Sequence, residues 1–390
     1  MVERVADEPV TDVAERYLRL GLQLGRHDDG LVDAYFGPPE LATEVEAAPP
    51  VEPPALVATA DALLAELDDG WLRDQVTALR TFAGVLAGES WSYADEVQAC
   101  YGVRPVFTDE AVFAAAHQQL NDLLPGPGPL PERYQRWRDS MLVPAERIER
   151  AFAAAIEEAR SQTRSLVELP YGERVVLETV SDVPWLGYNF YGGDLCGRVA
   201  INVSISKSII EVLDLAMHET YPGHQAERSC KEQLLVREQG MAEETIVLAY
   251  TPQSVISEGL ARLAPQVLLE GEGGAAFAEV ARGAGAEIDL EHALAIERAI
   301  APCEWAQVNA ALMIHRDGAS ENEARDYLLR WGLLAPELAG HVVRFMTDPS
   351  SRTYVVAYPA GFELCRKFVD GDAGRFGRLV TEQLRVSDLR

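Results

Sequence analysis

The sequence predicts a mainly α-helical protein with one small antiparallel β region just ahead of a metal-binding helix. Three observations lead there. Apolar residues recur at helical intervals along most of the chain, alternation of period two is confined to residues 174–203, and His218-Glu219 followed by Pro222-Gly223-His224 lies directly behind that stretch.

Taken in order, residues 10–26 place Val13, Tyr17, Leu20 and Leu24 at helical spacing, and a Tyr-Phe-Gly-Pro-Pro turn at 35–39 closes that element. A Pro-rich connection covers 47–55. Residues 56–87 read as two amphipathic helices broken near Asp69-Gly70. Helices over 92–101 and 109–124 follow, and the run Pro125-Gly126-Pro127-Gly128-Pro129 then forbids regular structure. Residues 131–166 return to helical spacing, with a long helix around 145–163.

The period then changes. Residues 174–180, 187–191 and 197–203 read as short strands between Gly, Pro and Asp turns, the only convincing β region. Its edge could bind an extended peptide through backbone hydrogen bonds, or the strands could form a structural hairpin beneath the helices. Beyond the motif come helices over 254–269, 275–282, 290–316 and 321–331 and a final one over 360–369, the first two separated by Gly271-Glu272-Gly273-Gly274. The organisation expected is one large catalytic domain, 1–390, with a helical part to residue 165 and a metal-site part from 166 onward.

Composition narrows the functions. With 48% hydrophobic residues the 390-residue chain can bury a full core, and its 62 acidic against 34 basic residues argue against affinity for nucleic-acid phosphates or anionic membranes. No apolar run reaches the roughly 18 residues of a membrane helix, and residues 1–10 are acidic and polar, so a cytoplasmic location is expected. Cys100, Cys196, Cys230, Cys303 and Cys365 are scattered and odd in number, which reads as reduced thiols in the core. Cys230, six residues past His224, is the one with a rival reading as a soft metal ligand.

The chemistry sits in Leu215-Ala216-Met217-His218-Glu219-Thr220-Tyr221-Pro222-Gly223-His224-Gln225. Two imidazoles can bind a metal while an adjacent carboxylate activates its water, but the usual spacing is His-Glu-x-x-His. At i+6 on a regular helix, His224 would lie about 240° round from His218. Pro222 and Gly223 supply the remedy, since together they can break or bulge the helix and return His224 to the position of an i+4 residue. Ser206 or Ser208 can cap this helix, and Ile209, Ile210, Leu213 and Met217 give it an apolar face. Glu258, in Ser257-Glu258-Gly259, is the choice for third ligand, and Glu219 for general base. Asp214, four residues before His218, could orient that imidazole or be a plain surface carboxylate.

These residues resemble a known bacterial family, domain of unknown function number 885, whose members are regarded as zincin-type metallopeptidases. The resemblance covers about residues 170–370 through His-Glu-x-x-Pro-Gly-His, the downstream Glu-Gly, Tyr191 and Arg198 leading into Asn202, Ile314-His315-Arg316-Asp317-Gly318, and Ala357-Tyr358-Pro359-Ala360-Gly361 followed by Arg366. A weaker echo lies at Asp33-Ala34-Tyr35-Phe36-Gly37. Three positions depart: Gln225 stands where many relatives carry a second consecutive His, Leu260 where Trp is usual, and Ala311 where an Asp often lies. The resemblance implies a helical zincin-like scaffold holding one zinc ion, with Tyr358 or Tyr354 aiming a phenolic O–H at the developing oxyanion.

His315 is a second candidate for the oxyanion, with a satisfied residue at a helix end as the alternative. Arg198, Arg352 and Arg366 could each hold a substrate carboxylate, with Tyr188 and Asn202 as further candidate substrate contacts and Gln225 as a polar neighbour of the metal. The function expected is zinc-dependent hydrolysis of a short peptide or amide-containing small molecule, with no nucleic-acid or membrane partner. The alternatives are a metal-dependent lyase-type enzyme and a non-catalytic metal-binding member of the family.

Overall fold

Helix boundaries fall where the sequence supplies caps and breaks. In the computed structural model, which describes residues 12–183, 185–270 and 273–390, the first helix is Asp12–Gly25. The acidic first ten residues and the start of the Gly271–Gly274 break lie outside the described residues. Pro53–Glu66 and Trp71–Leu86 are separated at Asp69-Gly70. Ser92 and Asp109 cap Tyr93–Tyr101 and Glu110–Leu123, each side-chain oxygen accepting from a backbone N–H that the helix itself leaves unpaired. After the Pro-Gly run the chain restarts as Leu130–Asp139 and continues into Ile148–Thr163.

Three expectations are corrected. The span 290–316 is two helices, Leu290–Ile300 and Trp305–His315, joined by a 3-10 turn at Ala301–Glu304, because Pro302 has no N–H for a continuous ladder. The helix at 360–369 begins earlier, as Ala357–Val369, and is not the last; Ala373–Thr381 follows, and Pro336–Thr347 precedes it. There is also a second β region.

The strands are β1 (Val32–Tyr35), β2 (Arg174–Val180), β3 (Gly187–Tyr191), β4 (Cys196–Asn202) and β5 (Ile246–Leu248). β1 and β5 form an antiparallel ribbon, too short in each strand for alternation to stand out in sequence. The other three make a sheet in the order β2-β4-β3. β3 and β4 are the antiparallel hairpin just ahead of the motif helix, and β2 joins β4 on its other side in parallel.

Two close approaches set the geometry of the candidate site. The hairpin lies against the motif helix Ile209–Glu219, where a Cβ on Gly187 would stand 2.9 Å from Leu215. Helix Pro252–Leu269 packs along Ala357–Val369 with backbone touching backbone. A Cβ on Gly259 would come 2.2 Å from Gly361 O, and one on Gly361 would come 2.1 Å from Val255 O. This contact turns Glu258 toward Tyr354 and Tyr358. One apolar cluster, running from Tyr17 to Leu389, includes Ile209, Leu213 and Met217 of the motif helix and Val255 and Leu260 of the helix bearing Glu258. Among the described residues no helix is long and apolar enough to cross a membrane.

Since the Gly259 contact is with backbone, no side chain can yield to make room. Gly259→Ala should lower stability by about 1–3 kcal/mol in urea or guanidinium unfolding. Wild-type stability in that variant would show that the two helices do not meet this closely.

Candidate metal centre

The motif helix opens with a reciprocal cap: Ser208 accepts from Glu211 N, and the Glu211 carboxylate accepts from Ser208 N. It ends at Glu219. Thr220 turns out of the helix (φ −121°, ψ −90°), and the chain passes through a cis Tyr221–Pro222 bond before a second helix, His224–Lys231, begins. Two wide hydrogen bonds span the break, Gly223 N to Met217 O and Ala226 N to Thr220 O, both 3.1 Å. A Cβ at residue 223 would lie 2.0 Å from His218 O and 2.5 Å from Met217 O, so glycine alone allows this turn. Tyr221 pins it from behind, donating to Glu173, a buried carboxylate that also accepts from Arg160 Nε at 2.7 Å.

The break brings together what a straight helix would separate. The His218 and His224 rings stand 4.8 Å apart at 88°. His218 Nε2 is 3.6 Å from Glu258 Oε2, and one ligand atom from each of His218, His224 and Glu258 lies within 4.8 Å of the others. Burial holds both imidazoles neutral, His218 down to about 3 and His224 well below its ordinary value. Burial also lifts Glu258 to about 7, opposed by the Tyr354 hydroxyl, which donates to Oε1 at 2.9 Å. Glu258 Oε2 is buried and accepts no hydrogen bond among the described residues. A divalent cation fits this set: two neutral imidazoles, and a carboxylate with one buried oxygen that accepts no hydrogen bond among the described residues.

Glu219 is buried next to this cluster, and burial, then the charge of Glu258, raises it to about 8. Its backbone oxygen accepts from Asn189 Nδ2 of β3 at 2.7 Å, which ties the end of the motif helix to the hairpin. The Tyr358 ring stands 5.4 Å from that of Tyr354, and its hydroxyl has no hydrogen-bond partner among the described residues. Its pKa is driven far up, first by burial and then by Glu258, so it is a phenol and a donor. Tyr188 donates to Asp33, which also pairs with Arg228, and Arg228 Nη1 donates to Asn189 O at 2.9 Å. That bond occupies the Asn189 carbonyl of β3.

The remaining candidates are engaged elsewhere. His315 Nε2 bonds Met346 O at 2.7 Å and its ring stacks on Tyr93, so it is a satisfied residue at a helix end with no contact to the cluster. Arg198 is exposed, pairs with Glu178 and lies over the Phe190 ring. Arg352 is committed to buried Glu96, and Arg366 to Glu363 one turn before it. Asn202 is fully buried, donating to Val183 O and Trp185 O. Gln225 turns to the sheet, donating to Arg174 O and Leu195 O. Asp214 bonds to no group among the described residues, His218 included, and Cys230 is a free, buried thiol outside the donor set.

Sequence reasoning passed over Ser257, Glu227 and Lys231, which form a buried chain behind His224, and Arg228, Asp33 and Arg262 around the acids. Glu227 and Lys231 were visible as an i, i+4 acid–base pair, and Ser257 adjoins Glu258 in sequence. Asp33 lay in the weak amino-terminal echo. Arg262, one turn past Glu258 and paired with Glu304, had no signal of its own.

Fold and cluster define a mainly helical protein with a mixed three-stranded sheet and a two-His, one-Glu donor set. No protein-family model matches the chain, and no curated protein gives a significant match. Solved structures share its fold, two of them as follows. The crystal structure of a "putative lipoprotein" from Colwellia psychrerythraea superposes with a TM-score of 0.55 at 13% identity, covering 86% of this chain and 65% of that one. A "putative lipoprotein of unknown function" from Shewanella oneidensis gives 0.51 at 12% identity, covering 94% and 68%. The present chain thus spans about two thirds of the length of these structures, and the likeness is one of fold.

Close to Asp214 and Glu304, Glu297 has a carboxylate with no hydrogen bond or ion pair among the described residues, and burial first, then those two acids, raise it to about 7. In the unfolded chain it would ionise near 4.5, so the folded state holds the extra proton between those values and stability falls as pH rises through them. Glu297→Gln should therefore gain on the order of 1 kcal/mol at pH 8 and almost nothing at pH 4, read from urea melts. An equal gain at both pH values would assign the effect to packing.

Proposed function

We propose that the chain is a metal-dependent hydrolase, zinc being the metal that suits two imidazoles and a carboxylate, acting on an amide bond in a short peptide or small molecule. The observation that carries this reading is the convergence of His218, His224 and Glu258 across a broken helix, with Glu258 Oε2 buried and without a donor among the described residues. It accords with the resemblance to the family of zincin-type peptidases. The five cysteines, all unpaired, accord with a reducing cytoplasmic setting.

His218, His224 and Glu258 would hold the ion, whose charge polarises a carbonyl and acidifies water when it is bound. Glu219, beside His218 in sequence and buried at the cluster, takes the proton of the attacking water and returns it to the leaving amine. Its raised basicity suits both transfers. The Tyr358 hydroxyl, unengaged by the protein, donates to the oxyanion that develops on the carbonyl oxygen. Tyr354 orients Glu258 through the bond to Oε1.

The test is elemental mass spectrometry on tag-free protein, wild type beside His218→Ala, His224→Ala, Glu258→Ala and Gln225→Ala. About one zinc per chain is expected, lost in the first three variants and kept in the fourth, whose side chain faces the sheet. A folded wild type that takes up no metal after zinc reconstitution ends the hydrolase reading. On a peptide-library substrate, Glu219→Gln should keep its metal and lose activity by on the order of a hundredfold or more. Turnover persisting in Glu219→Gln without oxygen uptake from labelled water would instead favour a lyase-type reaction.

A further inference from the structure

We propose that Ser257 and Glu227 are positioning residues that fix which nitrogen of His224 faces the metal. The inference rests on the metal-site reading above and adds to it a hydrogen-bonded support that starts at the ring and ends at a buried lysine. His224 Nδ1 lies 3.1 Å from Ser257 Oγ. Ser257 Oγ in turn donates to Glu227 Oε2 at 2.5 Å, and Lys231 Nζ donates to Glu227 Oε1 at 2.7 Å. All four residues are buried, none more than 8% exposed.

The polarity of this chain follows from proton counting. Lys231 Nζ has only protons to give, so Glu227 Oε1 accepts from it, and the single Ser257 proton goes to Glu227 Oε2. Ser257 Oγ can then only accept from the ring. Nδ1 therefore carries the imidazole proton, and Nε2 keeps its lone pair for the donor cluster.

The support is one-sided, which is what the local backbone calls for. His218 sits in the last turn of a regular helix, and its Nδ1 has no partner among the described residues. His224 is the first residue of a new helix after an irregular turn, so its ring direction is not inherited from the motif helix. Glu227 and Lys231 lie one and two turns along the same helix face as His224. Ser257 directly precedes the third donor, so one helix turn supplies both a ligand and the brace for another ligand.

A small cavity adjoins Glu227, Lys231, Gln253 and Ser257, with about 20 Å³ of free space, room for about one water. Water entering Ser257→Ala from there could partly replace the hydroxyl, so a second variant, Glu227→Gln, removes the charge that orients the chain instead.

The experiment uses the full chain, stripped of metal and reloaded with Co²⁺ as the probe. Two readouts are taken: affinity by chelator competition, and the strongly shifted exchangeable imidazole N–H signals in the proton spectrum of the Co²⁺ form. Wild type should show a slowly exchanging His224 N–H. Ser257→Ala and Glu227→Gln should bind Co²⁺ about 10–100-fold more weakly and lose that slow signal, while Ser257→Thr, which keeps the hydroxyl, restores both. Wild-type affinity and an unchanged N–H signal in both disruptive variants overturn the positioning role while leaving the metal site intact. Failure of wild type itself to bind Co²⁺ or zinc overturns the metal reading and this inference with it.

Discussion

The backbone at Gly223 comes so near the carbonyls of Met217 and His218 that no other residue fits, and the candidate site depends on that approach. A helix turns about 100° per residue, which sends the sixth residue along to the far side. Here the helix stops at Glu219, four residues form the turn, and hydrogen bonds of i+6 type bridge the gap. The second helix then starts with its first side chain beside His218. Tyr221 anchors the turn to Glu173 and Asn189 anchors the helix end, so both sides of the break are held by buried groups.

Around that break the protein has collected ionisable groups whose burial disfavours their charged forms. Two imidazoles are kept neutral, and burial lifts both Glu219 and Glu258 by several pH units. The nearby cations offset this only in part: Arg228 acts against the rise at Glu219, and Arg262 and Arg228 against that at Glu258, but Arg228 is paired with Asp33 and Arg262 with Glu304. By contrast, Glu227, equally buried, has Lys231 as a partner at 2.7 Å. The difference separates two uses of buried charge. Glu227 has a buried cation bonded to it, whereas Glu219 and Glu258 form no ion pair with a lysine or arginine among the described residues.

The sequence revealed the helices wherever apolar spacing coincided with caps, as at Ser92, Asp109 and Ser208, and Pro222-Gly223 between two histidines pointed to the break that lets His218, His224 and Glu258 converge. It did not reveal β1 and β5, whose pairing joins residues more than two hundred positions apart over three or four residues each. Nor could it place the arginines. Arg198, Arg352 and Arg366 are the same residue type as Arg228 and Arg262, and only the fold decides which guanidinium lies near Glu219 and Glu258. His315 misled for a related reason: a histidine at a helix end is equally at home binding a carbonyl, and Met346 O was its partner.

The departures of this chain from the family it resembles can be read in the same terms. A second histidine at position 225 would follow the first residue of a new helix, about 100° round from His224. Gln225 there points into the sheet, bonded to Arg174 O and Leu195 O and lying across Gly197, where a Cβ would stand 2.0 Å from its Oε1. A side chain pointing that way brings no nitrogen to Glu258 while His224 does, so glutamine in its place costs the donor set nothing. Leu260, two residues past Glu258, falls on the far side of its helix and is fully buried in the apolar cluster, and Ala311 is likewise buried. Gln225 and Leu260 therefore lie on faces turned away from the donor atoms. His218, His224, Glu258, Glu219 and Tyr358, which carry part of the resemblance, lie at or beside the cluster, whereas Arg198, Asn202, His315 and Arg366, which also carry it, are engaged elsewhere.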